Sequence, residues 1–203
     1  MHKNKLSEKE TPSLKQLFDD LEHPNPYINN QAYIDMHSYW PKESKLRLIN
    51  NLSSDDIVLR RKSVKALGTF GIEIIPSIQK KFFENEDIIF RISCLKVLVH
   101  ICARNNIGKL SDDMLYLIRI SIEYDNPELI LSIVNLLRQL NIQGLPFLID
   151  LCKDKNLLKA KSAIMSIIEI DHPSVKECLN NLIIDDSLDE FIRQSAKEAI
   201  NSI

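Results

Sequence analysis

The feature that most constrains the fold is a short segment that recurs at intervals of roughly 31 residues. The segment "DDIVLRRKSVKALG", Asp55–Gly68, aligns with "EDIIFRISCLKVLV", Glu86–Val99, so that acidic, bulky apolar, arginine and mostly small residues coincide. Four further segments fit the same register. The aligned core residue of the six copies, which we call the small-residue position, is Ala32, Ser63, Cys94, Ile133, Ala163 and Ala196. Internal repeats of this length predict an array in which each unit packs against its neighbours.

Each copy carries the marks of a helix. In the copy quoted first, Asp55 and Asp56 precede the apolar run and suit an N-cap and a first helical turn. Gly68 and Gly71 follow the run, where a left-handed residue ends a helix. A phosphate-binding loop has its glycines before the helix instead, so this order argues against such a loop.

A second helix is predicted between successive copies. Four of these helices begin near a proline, which is tolerated in a first turn, and two begin at a serine. The starting residues are Ser13, Pro41, Pro76, Ser111, Pro146 and Pro173. We therefore predict an all-α, right-handed α-solenoid of about six short helix pairs, as one domain over residues 13–203, after a disordered tail at residues 1–12.

The charge distribution and the apolar runs argue against several classes of function. Residues 1–104 contain 16 Lys and Arg against 13 Asp and Glu, and the remaining residues contain 10 against 15. Neither half has the basic excess expected of a nucleic-acid-binding protein. No apolar run approaches the roughly 20 residues that span a bilayer, and the N-terminus lacks the apolar core of a secretory signal. We therefore expect a cytoplasmic protein.

The four cysteines do not predict a metal site. They lack the spacing of zinc ligands and lie within apolar helical runs, so we expect reduced, packed thiols. They are Cys94, Cys102, Cys152 and Cys178.

The repeat resembles a known family. Units with two acids, an arginine, a small residue, "ALG" and a following proline resemble the short HEAT repeats of the phycobilin lyase (E/F-type) family. "LFDDLEHPNP", Leu17–Pro26, and "SIVNLLRQLNIQG", Ser132–Gly144, resemble the first and fourth repeats of a small chaperone-like member. The chain departs from the pattern by losing the arginine at Asn29, at Ile130 and in the fifth repeat, and by losing most repeat glycines.

The resemblance implies a function. That member accompanies a larger HEAT-repeat lyase in attaching phycoerythrobilin to phycoerythrin. The resemblance therefore implies an accessory subunit whose partners are the larger lyase and a phycoerythrin subunit. It implies no tightly bound cofactor, only a transient contact with phycoerythrobilin, and it identifies no catalytic residue.

A candidate site follows from the second helix of each pair, which forms the inner wall of a solenoid. We expect the residues one before, two after and six after the small-residue position to face the groove. This stripe is polar, basic in the second and third repeats and acidic in the sixth. A bilin needs cations for its carboxylates and apolar walls for its rings. The predicted partner- or bilin-binding groove comprises Lys62, Lys65, Lys96, His100, Asn135, Gln139, Tyr33 and Trp40.

The recurring arginines are expected to be structural. Arg60, Arg91 and Arg193 each follow an aspartate by four residues, a spacing that favours ion pairs along a helix.

The sequence is also compatible with other functions. The chain could be an autonomous bilin lyase, or a generic HEAT-repeat scaffold for another client. Few convergent titratable groups and a shallow wall favour the accessory role over the enzyme, without excluding catalysis. A HEAT-like DNA glycosylase ranks last, because the charge is wrong for a nucleic-acid groove.

Overall fold

A computed structural model describes residues 11–203 of the chain. The predicted tail at residues 1–12 therefore lies, except for its last two residues, outside the described part. Within residues 11–203 the structure has twelve α-helices and no strand. The helices are α1 (Leu14–Glu22), α2 (Pro26–Tyr39), α3 (Pro41–Asn50), α4 (Ile57–Gly68), α5 (Ile75–Glu84), α6 (Ile88–Cys102), α7 (Asp112–Ile122), α8 (Pro127–Gln139), α9 (Leu145–Leu151), α10 (Leu157–Ile167), α11 (Pro173–Ile184) and α12 (Glu190–Ile200). The prediction of an all-α repeat fold with six helix pairs is confirmed.

The chain divides into two compact units. Unit 1, Met1–Phe70, contains the pairs α1/α2 and α3/α4, and unit 2, Gly71–Ile203, contains the other four pairs. The single domain predicted over residues 13–203 stays a prediction.

Unit 1 is built around apolar faces of its four helices. Phe18 and Leu21 of α1, Met36 of α2 and Leu67 of α4 are each at most 2% exposed. The guanidinium carbon of Arg47 lies 3.8 Å from the centroid of the Phe18 ring, so the cation covers the edge of this core.

Unit 2 is held together by its second helices. The helix α6 packs on α8, α8 packs on α10, and α10 packs on α12, while each also contacts the first helix of its own pair. The second helices thus form a continuous layer, as expected for stacked repeats.

The small-residue position is buried in all six copies. Its side chains are between 0% and 2% exposed, which confirms the register of the repeats. A short side chain here lets neighbouring helices approach closely.

The N-cap recurs as regularly as the small residue. Seven residues before the small-residue position, an Asn or Asp side chain accepts hydrogen bonds from backbone N–H groups of the first turn. These residues are Asn25, Asp56, Asp87, Asn126, Asn156 and Asp189. Each satisfies donors that the helix itself leaves without a partner.

Removing one of these caps should cost a modest amount of stability. We expect Asp87→Ala to lower the free energy of unfolding by about 1 kcal/mol, because the Ile89 and Phe90 amides lose their acceptor. Urea denaturation followed by circular dichroism measures the change. The neighbouring exposed Glu86→Ala is the control, and equal midpoints for both variants would contradict the role of the cap.

The arginines serve the fold, as predicted, but their predicted partners are wrong, because the aspartates four residues earlier cap the helices instead. Arg91 Nε donates to the carbonyl of Asn85 at 2.7 Å, and Arg60 Nη1 donates to the carbonyl of Ser54. Both acceptors lie six residues earlier, in the loop between the two helices of the pair. The side chain therefore ties that loop to the second helix.

The first and last repeats vary this contact. Asn29 Nδ2 donates to the carbonyl of His23 at 3.0 Å, again six residues earlier, so the asparagine takes over the role of the missing arginine. Arg193 pairs instead with Asp186 at 2.6 Å and Glu190 at 2.5 Å.

The two glycines of the second repeat differ. Gly71 has a φ of 73°, as predicted for a left-handed residue after a helix. Gly68 is instead the last residue of α4 and is buried. The prediction of a left-handed residue at Gly68 is wrong, because Gly68 is part of the helix and the residue after it, Thr69, is right-handed with φ −79° and ψ −15°.

Candidate functional site

The exposed face of the second helices differs from the predicted stripe. One residue before the small-residue position, the serines Ser93, Ser132 and Ser195 are only 3–5% exposed. The hydroxyls of Ser93 and Ser132 donate to carbonyls four residues earlier, at 2.8 and 2.7 Å. A polar side chain satisfied by its own helix can be buried, so polarity alone did not identify the solvent-facing side.

The residues that do face solvent include large apolar side chains. Two residues after the N-cap, five of the six copies carry an apolar residue that is at least 36% exposed. These residues are Tyr27 and Val58 in unit 1, and Ile89, Leu158 and Phe191 in unit 2. A repeated exposed apolar position is typical of a binding surface rather than of a core.

In unit 1, the predicted site residues mostly serve the fold. Lys62 Nζ donates to the carbonyl of His23 at 3.1 Å, and Trp40 Nε1 donates to the carbonyl of Pro12 at 2.9 Å. Tyr33 is buried, and this burial raises the pKa of its hydroxyl. Lys65 is exposed.

In unit 2, the predicted residues fall into two places. Lys96 Nζ forms an ion pair with Glu128 at 2.6 Å, and His100 is half-buried on the same helix. Asn135 and Gln139 lie together on α8, with Gln139 Nε2 and Asn135 Oδ1 3.5 Å apart. Asn135 lines one groove on the surface of this unit, and Gln139 lines a separate one.

This groove, of about 640 Å³, lies across the second helices α8, α10 and α12 of unit 2. Its walls carry Leu131, Leu157, Leu158, Met165 and Phe191, which are between 36% and 52% exposed. We call it the α8–α12 groove. Five large apolar side chains that remain exposed in one groove are typical of a binding surface.

Two cations lie in the α8–α12 groove. Lys161 Nζ is 4.9 Å from the centroid of the Phe191 ring, within range of a cation–π contact. Arg138 Nη1 forms an ion pair with Glu169, and Arg138 Nη2 donates to Asn135 Oδ1 at 3.0 Å. The groove therefore combines an apolar surface with positive charge, which suits an amphipathic ligand that carries carboxylates.

Sequence reasoning missed most of this groove. The predicted stripe included Asn135, Ser162 and Met165 but neither cation nor Phe191. The available signal was the apolar residue two positions after each N-cap, because that position lies five residues before the small-residue position and cannot share its buried face.

The cysteines are not placed for nucleophilic chemistry. All four are free and buried. Burial raises the pKa of Cys102 to about 11 and raises the pKa of Cys94 further. A hydrogen bond with Cys178, together with burial, raises the pKa of Cys152. The same hydrogen bond lowers the pKa of Cys178, whose side chain is nevertheless buried. Buried thiols are inaccessible and therefore poor nucleophiles.

Residues 11–203 contain no group of His, Cys, Asp and Glu side chains arranged to hold a metal ion. None of the helices in this part of the chain is long and apolar enough to cross a bilayer.

Fold and groove together define a helical-repeat protein with an open, partly apolar groove. Comparison with solved structures agrees with the fold. The crystal structure of the Escherichia coli protein YibA superposes with a TM-score of 0.56 and 16% identity, covering 98% of this chain and 77% of that one.

Two curated proteins are similar along most of the chain, while no family model matches it. A Synechococcus protein named "Bilin biosynthesis protein CpeZ" is 24% identical over 169 residues, or 80% of this chain and 91% of the relative. A Pseudanabaena tenuis protein named "Uncharacterized phycocyanin operon protein Z" is 23% identical over 192 residues, or 94% and 95%. The resemblance inferred from the repeats is thereby confirmed.

Proposed function

We propose that the protein is an accessory, chaperone-like subunit that assists the covalent attachment of a bilin to a phycobiliprotein by a larger lyase. The similarity along most of the chain to a protein named for bilin biosynthesis supports the pathway. The repeat fold supports a binding role, because stacked helix pairs offer extended concave surfaces to partners. We further propose that it acts in the cytoplasm.

The observation that carries the proposal is the α8–α12 groove, an open apolar surface bordered by Lys161 and Arg138. Such a surface can hold and orient a molecule. Attachment of a bilin to a cysteine needs the chromophore and the thiol held in a productive geometry, and a holding subunit contributes through that geometry. The alternative of an autonomous lyase is decided by the co-expression test below.

The finer assignment concerns the client and the chromophore. We propose phycoerythrobilin as the chromophore, a phycoerythrin subunit as the client, and a larger HEAT-repeat lyase as the partner. The name of one relative contains the word phycocyanin, so a phycocyanin subunit is the second client to be tested. If the protein is instead a generic scaffold, bilin attachment to either client should not change.

Co-expression tests this function. The client subunit, the bilin pathway and the larger lyase are expressed with and without this chain, and covalent bilin is measured by absorbance and by fluorescence of the denatured protein. We expect the chain to raise the yield or the fidelity of attachment when the lyase is present. We expect no attachment from the chain without the lyase.

Variants connect the effect to the groove. The double variant Met165→Asp with Phe191→Asp should lower attachment to the level seen without the chain, because two carboxylates disrupt an apolar contact surface. Ile184→Asp is the matched control, since Ile184 is 75% exposed on α11 and lies outside the groove. Correct attachment by the chain alone would show that the protein is an autonomous lyase and that the accessory role is wrong.

The basic rows predicted from sequence are tested in the same system. A triple charge reversal at Lys62, Lys65 and Lys96 is expected to weaken assistance, if these side chains face an acidic partner. If the triple variant folds and attachment is unchanged, these lysines are not part of the site. The α8–α12 groove is then the remaining candidate for its location.

A further inference from the structure

We propose that the α8–α12 groove binds an amphipathic helix of a partner protein, with the apolar face of that helix packed on α8 and α10 and one of its carboxylates paired with Lys161. This inference rests on the proposed function and deepens it, because it names the kind of partner segment that the groove accepts. The site lies wholly within unit 2.

The groove follows the length of α10. The residues of α10 that line it recur at helical spacing in two adjacent rows, which are Leu157, Lys161 and Met165, and Leu158, Ser162 and Ser166. Side chains four residues apart lie above one another on one face of a helix. From Leu157 to Met165 the helix rises about 12 Å, slightly more than two turns. The exposed strip is therefore long enough to contact two turns of another helix.

The helix α8 forms the second side of the groove and runs parallel to α10. Asp125, which precedes α8, pairs with Lys159 Nζ at 3.1 Å near the start of α10. Near the far ends of the same two helices, Arg138 pairs with Glu169. The residues of α8 that line the groove occupy one helix face and are Leu131, Val134, Asn135 and Arg138. The valley between two parallel helices accepts a third helix, because ridges of side chains pack into grooves.

The lining favours a helix over an extended peptide. The groove is formed by helices, whose backbone groups bond within the helix, so it offers no strand edge to an extended peptide. Its neutral polar side chains are Asn135, Ser162 and Ser166, too few to serve two backbone groups on every residue. A polyproline ligand needs an aromatic groove, whereas Phe191 is the single ring among the described lining residues. A helix satisfies its own backbone and presents only side chains.

The charge of the groove selects an acidic partner. Residues 105–203 contain 10 Lys and Arg against 15 Asp and Glu, yet the described residues that line the groove include two cations, Arg138 and Lys161, and no acid. Arg138 already pairs with Glu169. Lys161 Nζ lies 4.9 Å from the centroid of the Phe191 ring and has no acidic partner within residues 11–203. A carboxylate on the partner helix would therefore meet an unpaired ammonium beside the apolar surface.

Binding of designed helical peptides to the purified full-length chain tests the inference. The acidic peptide, of about 18 residues so that it forms a helix alone, carries leucines along one helix face and glutamates beside them. The basic peptide has lysine at each glutamate position, and a third peptide has serine at each leucine position. Fluorescence anisotropy of the labelled peptides measures the dissociation constants. We expect the acidic peptide to bind about tenfold tighter than the basic peptide, and the serine peptide not to bind.

Variants of the groove connect peptide binding to the site. Lys161→Glu should weaken binding of the acidic peptide about fivefold and strengthen binding of the basic peptide by a similar factor, because the sign of one charge pair is reversed. Phe191→Ala should weaken binding of both peptides about tenfold through lost apolar contact. Lys176→Glu and Ile184→Ala change exposed residues of α11 outside the groove, so these matched controls should leave both dissociation constants unchanged.

Three results would overturn the inference. The first is that the acidic peptide does not bind. The second is that Lys161→Glu changes the binding of both peptides alike, or that Phe191→Ala changes neither. The third is that the chain binds phosphatidylserine vesicles and not the peptides, with vesicle binding lost in Phe191→Ala, which would assign the groove to a membrane surface.

The peptide experiment and the co-expression experiment separate the inference from the proposed function. If the acidic peptide does not bind while the double variant Met165→Asp with Phe191→Asp still lowers attachment, the inference fails and the proposed function stands. If the peptides bind with the expected variant effects but the chain does not affect attachment, the inference stands and the proposed function fails.

Discussion

Gly144→Ala is expected to destabilise the protein more than the loss of a helix cap or an overpacked small-residue position. A Cβ atom at Gly144 would lie 2.0 Å from the carbonyl oxygen of Leu137 and 2.7 Å from its carbonyl carbon. Both contacts are to backbone within α8, which cannot rotate away as a side chain can. The φ of −83° at Gly144 is accessible to any residue, so the requirement for glycine here is purely steric.

The expected cost is about 4 kcal/mol or more, at the upper end for single substitutions, because α8 and α9 must move apart to admit one methyl group. Urea or thermal denaturation of the full chain measures it. Gly108→Ala is the matched control, since a Cβ there meets nothing within 4 Å, and it should change the free energy of unfolding by less than about 0.5 kcal/mol. Similar midpoints for the two variants would refute the steric argument.

The fold was predictable because its determinants repeat. A small residue, an N-cap and a helix-starting proline or serine recur at fixed offsets, so each copy supports the assignment of the others. The copy around Ala163 is an example. Its N-cap at Asn156 lies seven residues before Ala163, the same offset as in the copies around Ser63 and Cys94.

The loop contact was less predictable, since different side chains make it. The side chains of Arg91 and Asn29 differ in charge and in length, yet both donate a hydrogen bond to the carbonyl six residues earlier. An alignment by residue type treats the asparagine as a loss. Only the geometry reveals that the backbone acceptor, and not an acidic side chain, is the common partner.

The candidate site was predicted only in part, because the exposure of a side chain depends on how the helices pack against one another. Ser132 is polar and buried, while Leu131 beside it is apolar and 52% exposed. At these two positions the polar side chain is therefore buried and the apolar side chain is exposed, the opposite of what polarity predicts. The contacts that shape the groove, such as Arg138 with Glu169, join residues one repeat apart, and nothing local to either residue specifies the pair.

Ala163→Trp is expected to give the second large effect, and it tests the principle of close helix approach. Ala163 is fully buried in α10, which packs against α8, α9 and α12. An indole at this position must push at least one of these helices away. We expect a loss of about 3 kcal/mol or more, because overpacking in a core with neighbours on several sides has little room to relax.

The equivalent substitutions in other repeats should follow the number of packed neighbours. Ala196 is also fully buried, but α12 packs mainly on α10 and α11, so Ala196→Trp should cost less than Ala163→Trp, about 1–3 kcal/mol. In unit 1, Ala32→Trp should fall in the same range. The exposed Lys197→Trp and Lys65→Trp are controls on α12 and α4, with expected changes below about 0.5 kcal/mol. If the denaturation midpoints of the alanine variants and the lysine variants are the same, the small-residue position does not set the helix spacing. If the loss of stability decreases in the order Ala163→Trp, Ala196→Trp, Lys197→Trp, the spacing of each repeat is set by the neighbours packed on both of its sides.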